Sequence, residues 1–122
     1  RPVGGVLREG SIMAKYIITG CFLAEGIRGM ISNPSDREEA VKPLIVAVGG
    51  TLLSYLVTFG KTDFQMVVET EDVEGLMAAL MVAGASGGIS GLKTTQAFTT
   101  VEFAAAQHRA QTMVAGYQAP NS

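Results

Sequence analysis

The side chains able to do acid–base or nucleophilic chemistry are few and scattered. His108 is the single histidine, beside Gln107 and Arg109. No second metal ligand lies at helical spacing from it, since Gln107 and Gln111 are poor ligands. It is a candidate general base or haem ligand, or else a surface histidine on a polar helical face. Cys21, the single cysteine, is a candidate reactive thiol near a helix start, or else a small buried hydrophobe. The pattern contains no catalytic constellation, and the catalytic residues stay unknown.

Asp63 closes a polar turn between two β-prone runs. Its carboxylate is a catalytic candidate at the mouth of a cavity, but aspartate in a turn also bonds the local backbone. Asp63 and His108 are therefore the two catalytic candidates. The glycine-rich residues 84–91 precede a strand instead of opening a helix, so they do not form a phosphate loop. We predict no metal site and no cofactor.

Lys93 is an isolated cation in the middle of a strand, between Leu92 and Thr94, where its side chain points to one sheet face. If that face lies between two copies of the chain, Lys93 would hold an anionic ligand, with Tyr16, Tyr55 and Thr95 lining the same cavity. The alternative is a lysine on an edge strand that protects against aggregation, among ordinary sheet residues. Arg28 is a further isolated cation with no predicted partner.

These candidates are positioned around a hairpin predicted at residues 51–70. Aliphatic and aromatic residues flank the turn at residues 60–63, where Gly60 can adopt a positive φ. Neither strand alternates cleanly between apolar and polar, so one sheet face is strongly apolar and the other is mixed. On the first strand the predicted faces are Leu53, Tyr55, Val57 and Phe59 on one side, and Leu52, Ser54, Leu56 and Thr58 on the other.

The rest of the chain predicts a strand at 15–22, a short helix at 24–31 and a second helix from Ser35. Glu38 completes a capping box with Ser35, and Pro43 should kink this helix. A third helix covers residues 71–85 and a last strand residues 89–98. Thr99 and Glu102 form a second capping box, which opens a C-terminal helix at residues 100–114. Its predicted packing residues are Val101, Phe103, Ala104 and Ala110.

This order predicts an α+β fold of the ferredoxin-like βαββαβ type, with an extra C-terminal helix. Both crossover helices would cover one face of an antiparallel sheet and leave the other face open. We expect a second copy of the chain to cover the open face, in a homodimer or a higher homo-oligomer.

Composition supports self-association and argues against nucleic-acid and membrane partners. Of the 122 residues 48% are hydrophobic and only 16% are charged, below the usual quarter. The net charge of −2 has no basic block, so nucleic-acid binding is not expected. No apolar run is long enough for a membrane span, and no signal peptide is visible. The expected location is the cytoplasm.

Residues 1–12 differ from the rest, with little periodicity before Met13. We expect a leader, which is either an expression remnant, translated upstream sequence, or a docking or targeting peptide anchored by Val3, Val6 and Leu7. Residues 13–122 form the expected single domain.

Several segments resemble the GYD domain family of small bacterial proteins: MAKYIITGCFLAEGIRGM, SDREEAVKPLIVAVGGTLLSYLVTFGKTD, GLKTTQAFTTVEF and the closing GYQAP. The resemblance implies a ferredoxin-like fold of the dimeric α/β-barrel type, and no defined activity. The family's Gly-x-Tyr-Asp motif falls on residues 60–63, where Gly60 and Asp63 are kept and Thr62 replaces the tyrosine.

Three functions remain open. The chain is a homo-oligomeric module that binds a small ligand or serves as an assembly partner through its sheet face. Alternatively, it is a cofactor-independent monooxygenase or isomerase with a cavity between sheet and helices, where Asp63, His108 and Tyr55 handle protons. In the third hypothesis it docks on a cargo or scaffold partner through residues 1–12.

Overall fold

The structure is a computed structural model, and it describes residues 13–121. The predictions for the leader at residues 1–12 lie outside this range. The elements are the strands β1 (Ala14–Phe22), β2 (Thr51–Val57), β3 (Phe64–Thr70) and β4 (Ile89–Ala97), and the helices α1 (Ala24–Ser32), α2 (Arg37–Ala47), α3 (Val73–Ala85) and α4 (Thr100–Gln111), followed by a short 3₁₀ turn at Val114–Gly116.

The four strands form one antiparallel sheet in the order β2-β3-β1-β4. This α+β arrangement, with α1 and α2 before the hairpin and α3 after it, is the predicted ferredoxin-like fold. β1 and β3 occupy the centre because the hairpin strand β3 pairs with the first strand.

Strand periodicity divides the central strands into a helix face and an open face. On β3 the buried residues Phe64, Met66 and Val68 alternate with half-buried ones. Ile18 of β1 pairs with Met66 on the helix face. The core cluster on that face joins strands and helices and consists of Ile18, Ile45, Leu52, Met66, Val68 and Leu76. Burial of each large aliphatic side chain contributes about 1.5–3 kcal/mol, so this layer holds the helices on the sheet.

A bulge in β2 corrects the predicted faces of that strand. The β2–β3 register shifts between Leu52 and Ser54, so Leu52 pairs with Val68 while Tyr55 pairs with Met66. Leu52 and Tyr55 therefore share the helix face, and Leu53 is the extra, exposed residue. The sequence prediction placed Leu52 and Tyr55 on opposite faces because strict alternation cannot anticipate an inserted residue.

The turn of the hairpin is also different from the prediction. The residue with positive φ is Phe59, at +46°, and not Gly60. Phe59 is 71% exposed, and β2 ends before it, at Val57. The backbone carbonyl of Thr62 stabilises the turn, because it accepts hydrogen bonds from Gly60 N at 2.8 Å and from Thr58 Oγ1 at 2.7 Å.

Capping side chains determine where three helices begin. Thr99 and Glu102 form the predicted capping box of α4, and Asp72 caps α3 by accepting from Gly75 N. At α2 the cap is Asp36 and not the predicted Ser35, because the Asp36 carboxylate accepts from the amides of Glu38 and Glu39. Pro43 removes one backbone donor, and α2 continues through it to Ala47.

The C-terminal helix α4 does not pack as predicted. None of its 12 residues is buried, and Val101 and Phe103 are 77% and 63% exposed. The prediction of an intrachain contact through Val101 and Phe103 is therefore wrong for the part of the chain that the structure describes.

Candidate functional site

Asp63 fastens the hairpin loop to the end of β1. Its Oδ2 accepts from Phe22 N at 2.8 Å, and its own amide donates to Gly20 O at 2.8 Å. The Asp63 carbonyl accepts from Thr58 N, also at 2.8 Å. These bonds give Asp63 the turn role that its sequence position allows, while a catalytic role stays a prediction.

The two other reactive candidates lie in separate places. His108 is exposed in the last turn of α4. Cys21 is half-buried at the end of β1, where its Sγ is 3.8 Å from Lys61 O. Among residues 13–121 no group of three or more metal-ligating side chains is present.

The sheet separates the four predicted ligand-binding residues. Tyr16 pairs with Val68 and Tyr55 pairs with Met66, so both tyrosines lie on the helix face. Lys93 pairs with Thr19, and Thr95 pairs with Ile17, so both lie on the open face. Within one chain, the tyrosines cannot line the same cavity as Lys93 and Thr95, since the backbone layer of the sheet lies between them.

A cavity of about 240 Å³ lies on the helix face, between the sheet and the helices α2 and α3. Phe22, Tyr55 and Phe64 form an aromatic row along it, with centroid distances of 5.4 Å for Phe22–Phe64 and 5.6 Å for Tyr55–Phe64. Gly20 sits beneath the Phe64 ring, where any Cβ would collide with the ring. The remaining apolar lining includes Val41, Leu44, Leu80, Ala83 and Leu92.

Arg37 brings a positive charge to this apolar cavity. It is the only charged residue among the described residues that line it, and Tyr55 and Ser86 are the only polar ones. The Arg37 Nη1 donates to Ser35 Oγ at 3.1 Å. Burial raises the pKa of the Tyr55 hydroxyl above its ordinary 10.0, while a hydrogen bond and the charge of Arg37 oppose that rise.

A second, more open cavity of about 320 Å³ adjoins the first. The two share Phe22, Arg37, Ser86 and Ile89. Arg37 therefore lies at the boundary between the apolar inner cavity and the more open outer one, where Asn33 and Ser35 add polar groups.

The sequence prediction missed Arg37 and named Arg28 instead, which is exposed on α1. The signal available was the helix cap. If Asp36 is taken as the cap, Arg37 becomes the first helical residue, close to the sheet edge that α2 covers.

The chain matches a family model described as GYD domain over residues 16–106. This match confirms the resemblance that the sequence segments indicated. A search of curated proteins and a search of solved structures both returned no match. No helix within residues 13–121 has the length and apolar character that crossing a membrane requires.

Proposed function

Since this chain belongs to the GYD domain family, we propose that it works as a homo-oligomeric α+β module. Copies of the chain associate by covering each other's open sheet face and C-terminal helix. The observation that carries the proposal is α4, a well-capped helix without a single buried residue.

The C-terminal segment is too apolar to be a free helix. Isolated helices of about 12 residues are marginal in water, and most helices gain their stability from packing an apolar face. Here the apolar side chains have no such packing within residues 13–121. Those between 63% and 77% exposed are Phe98, Val101, Phe103, Met113, Val114 and Tyr117.

The open sheet face adds a second surface. Ile17 and Val67 pair at its centre, and Leu56 on β2 is 60% exposed. An ion pair between Lys15 Nζ and Glu69 Oε2, at 3.0 Å, lies at one end of this face. A contact with an apolar centre and a polar margin is typical of protein interfaces.

The free energies of burial and association favour a contact that uses both the C-terminal helix and the open sheet face. In a symmetric dimer both copies bury these six side chains, so completing their burial would yield roughly 16 kcal/mol per dimer, at about 2 kcal/mol for each full burial. Association costs about 4–15 kcal/mol in lost freedom. The helix surface therefore only just offsets the upper end of this cost, and the sheet face would supply the surplus that a stable dimer needs.

Light scattering coupled to size exclusion tests the proposal across micromolar concentrations. We expect a dimer or larger species, and we expect Phe103→Glu to shift the population toward monomer. The matched control is Gln107→Glu, which adds the same charge at an exposed polar position of α4. A clean monomer for the unaltered chain, or equal effects of the two variants, would contradict the proposal.

Deleting residues 1–12 separates this proposal from docking through the leader. Unchanged assembly after the deletion would remove the leader hypothesis and leave the sheet and helix surfaces as the contact. Loss of assembly would instead assign the contact to the leader.

A further inference from the structure

We propose that the cavity on the helix face binds a small aromatic carboxylate, whose ring lies against the aromatic row and whose carboxylate is held by Arg37 and the Tyr55 hydroxyl. The described lining residues come from one chain and from the opposite side of the sheet to the proposed assembly surface. The inference therefore does not depend on the oligomeric state.

Size and lining determine the apolar part of the ligand. A cavity of about 150 Å³ can hold benzene, so about 240 Å³ suits one ring with a short side chain. Larger pockets, of roughly 300–1,000 Å³, are the ones that hold drug-sized molecules. Phe22, Phe64 and Tyr55 present ring faces and edges, against which an aromatic ligand can stack in the offset or tilted geometries that rings prefer.

The positive charge of Arg37 determines the polar part of the ligand. Within residues 13–121 no carboxylate forms an ion pair with Arg37. Two of the neighbouring acids are engaged elsewhere: Asp36 caps α2, and Glu39 lies 3.7 Å from Lys42. A guanidinium at the edge of an apolar cavity can bind a planar carboxylate through two parallel N–H bonds.

Tyr55 complements Arg37 as a neutral donor. Because burial raises its pKa above 10.0, the hydroxyl keeps its proton at neutral pH and can donate to a carboxylate oxygen. Its ring stacks on Phe64 with an interplanar angle of 14°, which holds the hydroxyl in place. A neutral amide in the same site would carry no negative charge to pair with the Arg37 guanidinium.

Calorimetric or NMR titration with phenylacetate tests the proposal, with phenylacetamide as the matched neutral probe. We expect saturable binding of phenylacetate at up to millimolar concentration and affinity for the amide lower by about tenfold or more, since a charge-assisted pair is lost. Arg37→Gln should weaken phenylacetate binding by about tenfold or more, with Arg37→Lys intermediate. Arg28→Gln, which removes the same charge outside the cavity, should leave binding unchanged.

Filling the cavity provides an independent check. Ala83→Leu places three extra carbons against the lining and should abolish phenylacetate binding while circular dichroism shows a folded chain. The proposal is overturned if phenylacetate does not bind, if the amide binds equally well, or if Arg37→Gln and Arg28→Gln behave alike. Unchanged binding to folded Ala83→Leu would overturn the placement in this cavity.

Discussion

Replacing Asp63 tests whether its carboxylate stabilises the fold by holding the hairpin loop against the end of β1. In the native chain Asp63 Oδ2 accepts from the half-buried amide of Phe22 at 2.8 Å. Asp63→Ala leaves that amide without its acceptor, and an unsatisfied donor of this kind costs about 1–3 kcal/mol. Asp63→Asn keeps an acceptor but loses its charge, so its cost should be smaller, about 0.5–1.5 kcal/mol.

Urea unfolding, followed by circular dichroism at one fixed protein concentration, measures these differences. With a slope of about 2 kcal/mol per molar urea, a loss of about 2 kcal/mol lowers the midpoint by about 1 M. Lys61→Ala is the control, because it changes an exposed side chain in the same loop. The reasoning is refuted if Asp63→Ala matches Lys61→Ala, or if Asp63→Asn is as destabilising as Asp63→Ala.

Two further predictions concern the glycines of α1 and the hydroxyl of Tyr55. Gly26→Ala should destabilise the chain by about 1–3 kcal/mol, because its Cβ would collide with the backbone carbonyl of Gly88. Gly29→Ala has open space around its Cβ and should stabilise the chain by about 0.5–1 kcal/mol. Thermal unfolding compares the two variants, and stability changes of the same sign would contradict the close contact of Gly26 with Gly88. Since burial raises the pKa of Tyr55, its contribution to stability is complete below pH 10.0 and is lost as the pH rises through the folded-state pKa. When urea unfolding is measured on both sides of pH 10.0, the free energy of unfolding should therefore fall more for the native chain than for Tyr55→Phe as the pH rises. An equal fall in the two chains would refute the raised pKa of Tyr55.

Local patterns were enough to predict the elements and their order. The Thr99–Glu102 capping box, the glycines after the second and third helices and the apolar periods each act over a few residues, so they can be read without a fold. The helix cap at Asp36 shows the limit of such patterns. Ser35 and Asp36 are both good caps, and only the backbone path decided between them.

The candidate site was less predictable because it depends on register. The bulge at Leu53 exchanges the faces of the residues before it, and it brings Leu52 and Tyr55 to the same side. Pairing with β1 then places Lys93 and Thr95 on the opposite side from Tyr16. A shift of a single residue inverts a face, and sequence periodicity does not record that shift.

Short-range sequence patterns are enough to predict the α+β class, the strand order implied by two split βαβ units and the family. These follow from short-range propensities and from the few ways such units can join. The folded chain is needed to show that Arg37 meets Tyr55 beside an apolar cavity, and that α4 remains uncovered within residues 13–121. Both depend on distances between elements far apart in the chain, which are set by how side chains fill the space between helices and sheet.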